Sequence, residues 1–274
     1  RRRGYALQTA VENRTGAGGQ IALTALKQGP ADGSVLALTP MSMLGIYPHT
    51  YRRLPYDPVA DFQPVSQAVR FDFGFAVGPM VPASVRTIPE FVAWCKANPT
   101  MASYGSPAAG SVPHFVADLF GRAAGIPDFK HVPYRGTQPA IVDLMGGQLA
   151  SVSGPVGEFL QHLPTGRVRL LATSGTTKNK FAPTVPTFAE QGFRDLVFDE
   201  WFAFFLPART PMPVVDRLSQ AIRTALGSPD VIDGLAQMGL EAKGSTPGEL
   251  AALLKRDTER WAPIVKTIGF TAES

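Results

Sequence analysis

Short runs rich in β-branched and aromatic residues alternate with helical stretches along almost the whole chain. That alternation restricts the chain to an α/β architecture with largely parallel sheets. The strand-like runs are Thr9 to Glu12, Val35 to Thr39, Phe62 to Val69, Phe73 to Val77, Met101 to Tyr104, Phe129 to Val132, Leu149 to Val152, Val168 to Thr173 and Val197 to Leu206. Helices are expected over Gly19 to Gln28, from Thr87, and over Ser111 to Ala124, Pro139 to Met145, Pro213 to Leu226, Pro229 to Met238 and Pro247 to Ile268. At Thr87-Ile88-Pro89-Glu90 the start is explicit: Thr87 can cap, and Pro89 fits the first turn ahead of Phe91, Val92 and Trp94. Pro263 is expected to kink the last helix.

At 274 residues and 45% hydrophobic, the chain can bury either one large core or two of ordinary size. Two breaker clusters help to choose. Gly78-Pro79 with Pro82, and Pro207 with Pro211-Met212-Pro213, each follow an apolar strand. An ordinary loop explains either alone, but two exits a domain's length apart suit a chain that crosses between lobes and returns. The expected division is 1–78 with 206–274 as the first lobe and 79–205 as the second.

Composition removes several function classes. The longest apolar stretch near an aromatic cluster, Trp201 to Ala208, is far below the ~18 residues of a membrane span, and Pro207 interrupts it. The net charge of +4 comes from basic residues scattered among Asp and Glu beyond Arg1, Arg2 and Arg3, with no basic stripe and interleaved aromatics, so no nucleic-acid partner is expected. A modest positive field remains able to attract anionic solutes. The single Cys95 allows no internal disulfide, and its neighbours read as a buried helix face. His49, His114, His131 and His162 lie in unrelated contexts without metal-ligand spacing, so no metal and no cofactor are expected.

Three glycine-bearing runs carry what chemistry there is. Asn13 to Gly19 has the setting of a dinucleotide fingerprint, but position 21 holds Ile where the third small residue belongs, so a tight structural turn is the better reading, with contact to a non-nucleotide ligand as the alternative. Tyr104 to Ser111 places Gly105 and Gly110 at P-loop spacing without the lysine, since Ser111 and Val112 stand where Lys and Ser/Thr would be. Amides at a helix N-terminus and two hydroxyls survive, an arrangement suited to a carboxylate, beside the alternative of a capped turn. His131 to Pro139 repeats the pattern, with Thr137 able to cap, Gly136 permitting close approach and Arg135 able to neutralise an anion. Ligands gather outside the carboxyl ends of parallel strands, so the two turns favour one shared pocket. No G-x-S-x-G elbow occurs, and no catalytic residue is expected.

In order along the chain, the runs Val11 to Gly19, Pro30-Ala31-Asp32-Gly33, Leu54-Pro55-Tyr56-Asp57-Pro58, Asp61-Phe62-Gln63-Pro64-Val65, Tyr104 to Ser111 with His114, His131 to Gly136, Gly146-Gly147-Gln148, Ala172-Thr173-Ser174, Val185-Pro186-Thr187-Phe188 and Trp201-Phe202-Ala203-Phe204 resemble the Bug family. These are the extracytoplasmic solute receptors of tripartite tricarboxylate transporters. The resemblance implies a type II periplasmic-binding-protein-like fold, with two lobes, mostly parallel sheets and crossing hinge strands. It also implies a monomeric, periplasmic receptor. Such a receptor closes on a small carboxylic acid or related solute and delivers it to membrane permease subunits. The binding residues it implies here are Ser106, Gly110, Ser111, Gly136 and Thr137, with His114 and Arg135 beside them and Trp201 and Phe202 walling the cleft.

The family pattern places a strand, a Gly-Gly loop and a helix before the VEN segment, whereas only Arg1 to Ala10 precede it here. The first lobe is therefore expected to be incomplete, and the chain to bind weakly or not at all. An α/β enzyme using the Gly105 to Ser111 loop as an anion cradle, with His114, Asp118 and Arg135 as its candidate groups, is the alternative from another class. A truncated, non-binding remnant is the third.

Overall fold

A computed structural model describes residues 8–272. The basic run Arg1 to Arg3 lies outside them. In chain order the elements are α1 (Gln20–Lys27), β1 (Ala37–Pro40), a π-helical turn (Ser42–Ile46) running into α2 (Tyr47–Thr50), β2 (Phe62–Val77), α3 (Ile88–Ala97), β3 (Ser103–Ser106), α4 (Val112–Ala124), β4 (Lys130–Pro133), α5 (Thr137–Met145), β5 (Ser151–Pro155), α6 (Val156–Leu160), β6 (Arg169–Thr173), β7 (Asp199–Pro207), α7 (Met212–Leu226), α8 (Pro229–Gln237), β8 (Glu241–Ala242) and α9 (Pro247–Ile268).

The chain divides into two compact units. One takes the chain up to Arg70, Glu200–Ala236 and residues from Leu240 on; the other takes Phe71–Asp199 with Gln237–Gly239. The divisions after Arg70 and Asp199 fall inside or at the start of β2 and β7. The sequence placed them at 78/79 and 205/206, toward the far ends of the same two strands.

In the first unit the sheet runs β1, β7, β2, with β8 also on β2. Antiparallel pairs set Leu38 opposite Phe204 and Val69 opposite Ala242. Val65 and Leu206 of the sheet pack on Val215 and Leu218 of α7. Helix α9 begins with a capping box, in which Thr246 accepts from the Glu249 amide and Glu249 accepts from the Thr246 amide. It continues through Pro263 without interruption.

The second unit has the order β6, β2, β5, β3, β4. On one face Phe75 meets Phe91, Phe120 and Phe188 edge-on at ring separations of 5.3, 5.1 and 5.9 Å. Each such pair adds about 0.5–1.5 kcal/mol beyond the area it buries. Ala76, Val152, Ile141, Leu144 and Phe159 form a second buried cluster. Helix α3 carries the expected cap, with Thr87 and Glu90 reciprocating.

The α/β class and most elements match the sequence reading, with three differences. The expected mostly parallel pairing is confined to β3–β4 and β3–β5, while β2 pairs antiparallel with β5, β6 and β8. A single long strand that enters from the other unit runs against the β-α-β units that fill this one. The runs 62–69 and 73–77 are one strand, because period-two burial persists through Arg70-Phe71-Asp72 and nothing ends the ladder. Thr9 to Glu12 carries no strand. Val11 is 93% exposed, so its alternation has no buried face to pair against.

Candidate functional site

Strands β3 and β4 lie parallel, with Tyr104 beside His131 and Ser106 beside Pro133, so both stop at the same level and turn into α4 and α5. Backbone bonds join turn to turn: the Tyr134 amide donates to Ser106 O at 2.9 Å and the Gly136 amide to Pro107 O at 3.0 Å. Gly105 is closely packed. A Cβ there would lie 3.0 Å from Leu149 Cδ1 and 3.1 Å from the Tyr134 ring. Gly110 at φ +78 and Gly136 at φ +114 hold backbone conformations that L side chains rarely adopt.

The starts of α4 and α5 differ from those of α3 and α9. Ser111, the N-cap of α4, makes no capping bond; its hydroxyl donates to Ala108 O at 2.7 Å. The N-cap of α5 is Gly136, which has no side chain to offer. Thr137, expected to cap, is the first helical residue, buried with its methyl where a Cβ on Gly154 would stand 2.5 Å away. Neither helix has an acidic residue in its first turn, whereas α3 has Glu90 and α9 has Glu249. The first amides of a helix have no intrahelical partner and carry roughly half a positive charge between them. Two such ends, uncapped and side by side at the carboxyl ends of parallel strands, form a receptive place for an anion.

Beneath the first turn lies a stack of rings that the sequence did not reveal. The His114 and His131 imidazoles are 3.9 Å apart between centroids and inclined by 15°, with the Tyr104 ring 4.9 Å from His131. The Gly110 amide donates to His114 Nδ1 at 3.0 Å, and Ser106 Oγ lies 2.8 Å from His131 Nε2. Burial, and then the neighbouring His131, push the His114 pKa down to about 3; burial pushes that of His131 down to about 4. Both rings are neutral at neutral pH.

The second unit thus brings together Ser106, Gly110, Ser111, His114, Arg135, Gly136 and Thr137. Arg135 is exposed on its turn. Ser106 and His114 are buried and hydrogen-bonded within the protein, and the Gly110 amide is already committed to His114. Trp201 and Phe202 belong to the first unit. Trp201 is 1% exposed and donates Nε1–H to Asp257 Oδ2 at 2.8 Å, so it is a core residue with no face left to wall a pocket. Phe202 is half-buried opposite Pro40.

Ser153, on β5 one residue beyond the Gly105–Val152 pair, is fully buried, and its hydroxyl has no hydrogen-bond partner. The Gly16 to Gly19 turn is largely exposed, and its glycines meet a backbone need, with Gly16, Gly18 and Gly19 at φ +121, +62 and +91. Among the described residues no group of three or more His, Cys, Asp or Glu could hold a metal ion, and no helix is long and apolar enough to cross a membrane.

Residues 3–270 match the family model described as tripartite tricarboxylate transporter family receptor. The chain is 31% identical over 260 residues to the protein BugT of Bordetella pertussis, covering 94% of this chain and 79% of that one. Among solved structures, R. palustris Rpa4515 with adipate superposes with a TM-score of 0.89 at 27% identity, covering 96% of this chain and 87% of that chain. MatC from Rhodopseudomonas palustris with bound malate gives a TM-score of 0.80 at 26% identity, over 91% and 85% of the two chains.

Proposed function

The chain belongs to the tripartite tricarboxylate transporter receptor family, and on that footing we propose that it takes a small carboxylate on the paired turns after β3 and β4. The family consists of solute receptors rather than enzymes, and the chain is a receptor. We place it in the periplasm as a monomer that hands its ligand to the permease subunits of such a transporter. The observation that carries the ligand class is the pair of uncapped, acid-free helix starts at α4 and α5. A carboxylate there accepts from first-turn amides and neutralises two positive helix ends at once. Relatives of similar fold that hold adipate and malate support a ligand of that chemistry and size.

Ser111, Gly136 and Thr137 supply the turn backbone of the proposed site, and the exposed Arg135 attracts the anion at its rim. The test is calorimetry and thermal shift of the whole chain with four- to six-carbon dicarboxylates and, separately, nucleotides. An acid at a hundredfold its Kd is expected to stabilise the chain by about 2.7 kcal/mol without any cofactor. Stabilisation by a nucleotide and by no acid would overturn the reading.

A further inference from the structure

We infer that His114 and His131 are positioning residues, which hold the turn before α4 in the shape that presents its helix amides, with the Gly110 amide withheld from the ligand. The inference rests on the carboxylate site proposed above and assigns that site its support. Gly110 donates to His114 Nδ1 at 3.0 Å, so Nδ1 must be the unprotonated nitrogen, and a proton there would face another donor. Gly110 has φ +78, and its amide is tied to a ring four residues ahead, while the bonds to Pro107 O and Ala108 O hold the neighbouring residues of the turn.

The ring is in turn held from outside its own helix. His131 on β4 stacks on it at 3.9 Å, and Ser106 lies 2.8 Å from His131 Nε2. Ser106 O accepts from Tyr134, the residue that begins the second turn. Both anion-receptive turns are therefore tied to one neutral imidazole pair, of which His114 is buried and His131 half-buried. His114 is 5% exposed.

Three variants separate this role from plain packing. His114→Phe keeps the stack and removes the acceptor; His114→Asn replaces it with an amide oxygen near the Nδ1 position; His131→Phe keeps the stack and removes the Ser106 contact. Affinity for malate and adipate is read by calorimetry, and exchange of the Gly110 amide by NMR. His114→Phe is expected to weaken acid binding at least tenfold and speed Gly110 exchange at least tenfold, while His114→Asn stays within threefold of the parent in both.

Unchanged affinity and unchanged Gly110 exchange in His114→Phe overturn the inference. Should that variant fail to fold, His131→Phe decides in the same way, with unchanged affinity and exchange again overturning it. If the parent binds no dicarboxylate, the carboxylate reading fails, and the exchange comparison alone then supports or overturns the positioning role.

Discussion

The imidazole of His114 lies face to face with that of His131 at 3.9 Å, the first buried and the second half-buried in the second unit, and desolvation drives both pKa values down. In the unfolded chain each takes up a proton near pH 6.5, whereas in the folded chain they do so only near 3 and 4. Between those limits the unfolded state binds more protons, so stability falls as the pH falls. Each unit of depression is worth about 1.4 kcal/mol per group. Urea midpoints should be flat above pH 7 and drop by several kcal/mol equivalent between pH 6.5 and 4. Replacing both histidines by Phe should flatten that slope; an identical slope in parent and variant would show that other groups set it.

Gly105→Ala should cost about 1–3 kcal/mol, because its Cβ meets Leu149, Tyr134 and Ala140 at 3.0–3.3 Å in a sealed site. Gly136→Ala has free space, with Pro139 Cδ nearest at 3.9 Å, and its cost, about 1–3 kcal/mol, is backbone strain at φ +114. Urea denaturation separates them when each is combined with Leu149→Ala. Removing the Leu149 side chain should relieve the first and leave the second unchanged.

What the sequence revealed follows the range of the forces involved. The capping box at Thr87 and Glu90 depends on residues three apart, and it was readable. So were the turns after β3 and β4, since glycine, serine and proline mark strand exits directly. His114 and His131 are seventeen positions apart on a helix and a strand, and only the parallel register of β3 and β4 with α4 above them brings the rings together. Ser111 occupies the N-cap position of α4 without capping it, because its hydroxyl finds the Ala108 carbonyl inside the turn, which residue order alone does not show. The Thr9 to Glu12 run failed for the opposite reason: alternation alone specifies a strand only where one face has something to bury against.

Trp201→Phe should lower stability by about 1–3 kcal/mol while leaving dicarboxylate affinity within twofold of the parent. The substitution removes the donor to Asp257 Oδ2, whose carboxylate is buried apart from the Arg256 contact at Oδ1. Paired urea denaturation and calorimetry check it. A large loss of affinity with little loss of stability would return Trp201 to the binding surface.

Ser111→Asp should move stability and affinity in opposite directions. The position has the extended φ/ψ of an N-cap, and its present hydroxyl donates to Ala108 O instead of capping α4. An aspartate there can accept from the α4 amides and sits at the positive end of the helix, a gain of about 0.3–1 kcal/mol. The same carboxylate then occupies the place proposed for the ligand and repels it, so malate and adipate should bind at least tenfold more weakly. Most substitutions that cripple binding also loosen the fold, and a more stable, non-binding variant is hard to explain in any other way. Calorimetry alongside urea denaturation reads both quantities on one preparation. If the variant is more stable and still binds as the parent does, the α4 start is not where the carboxylate sits.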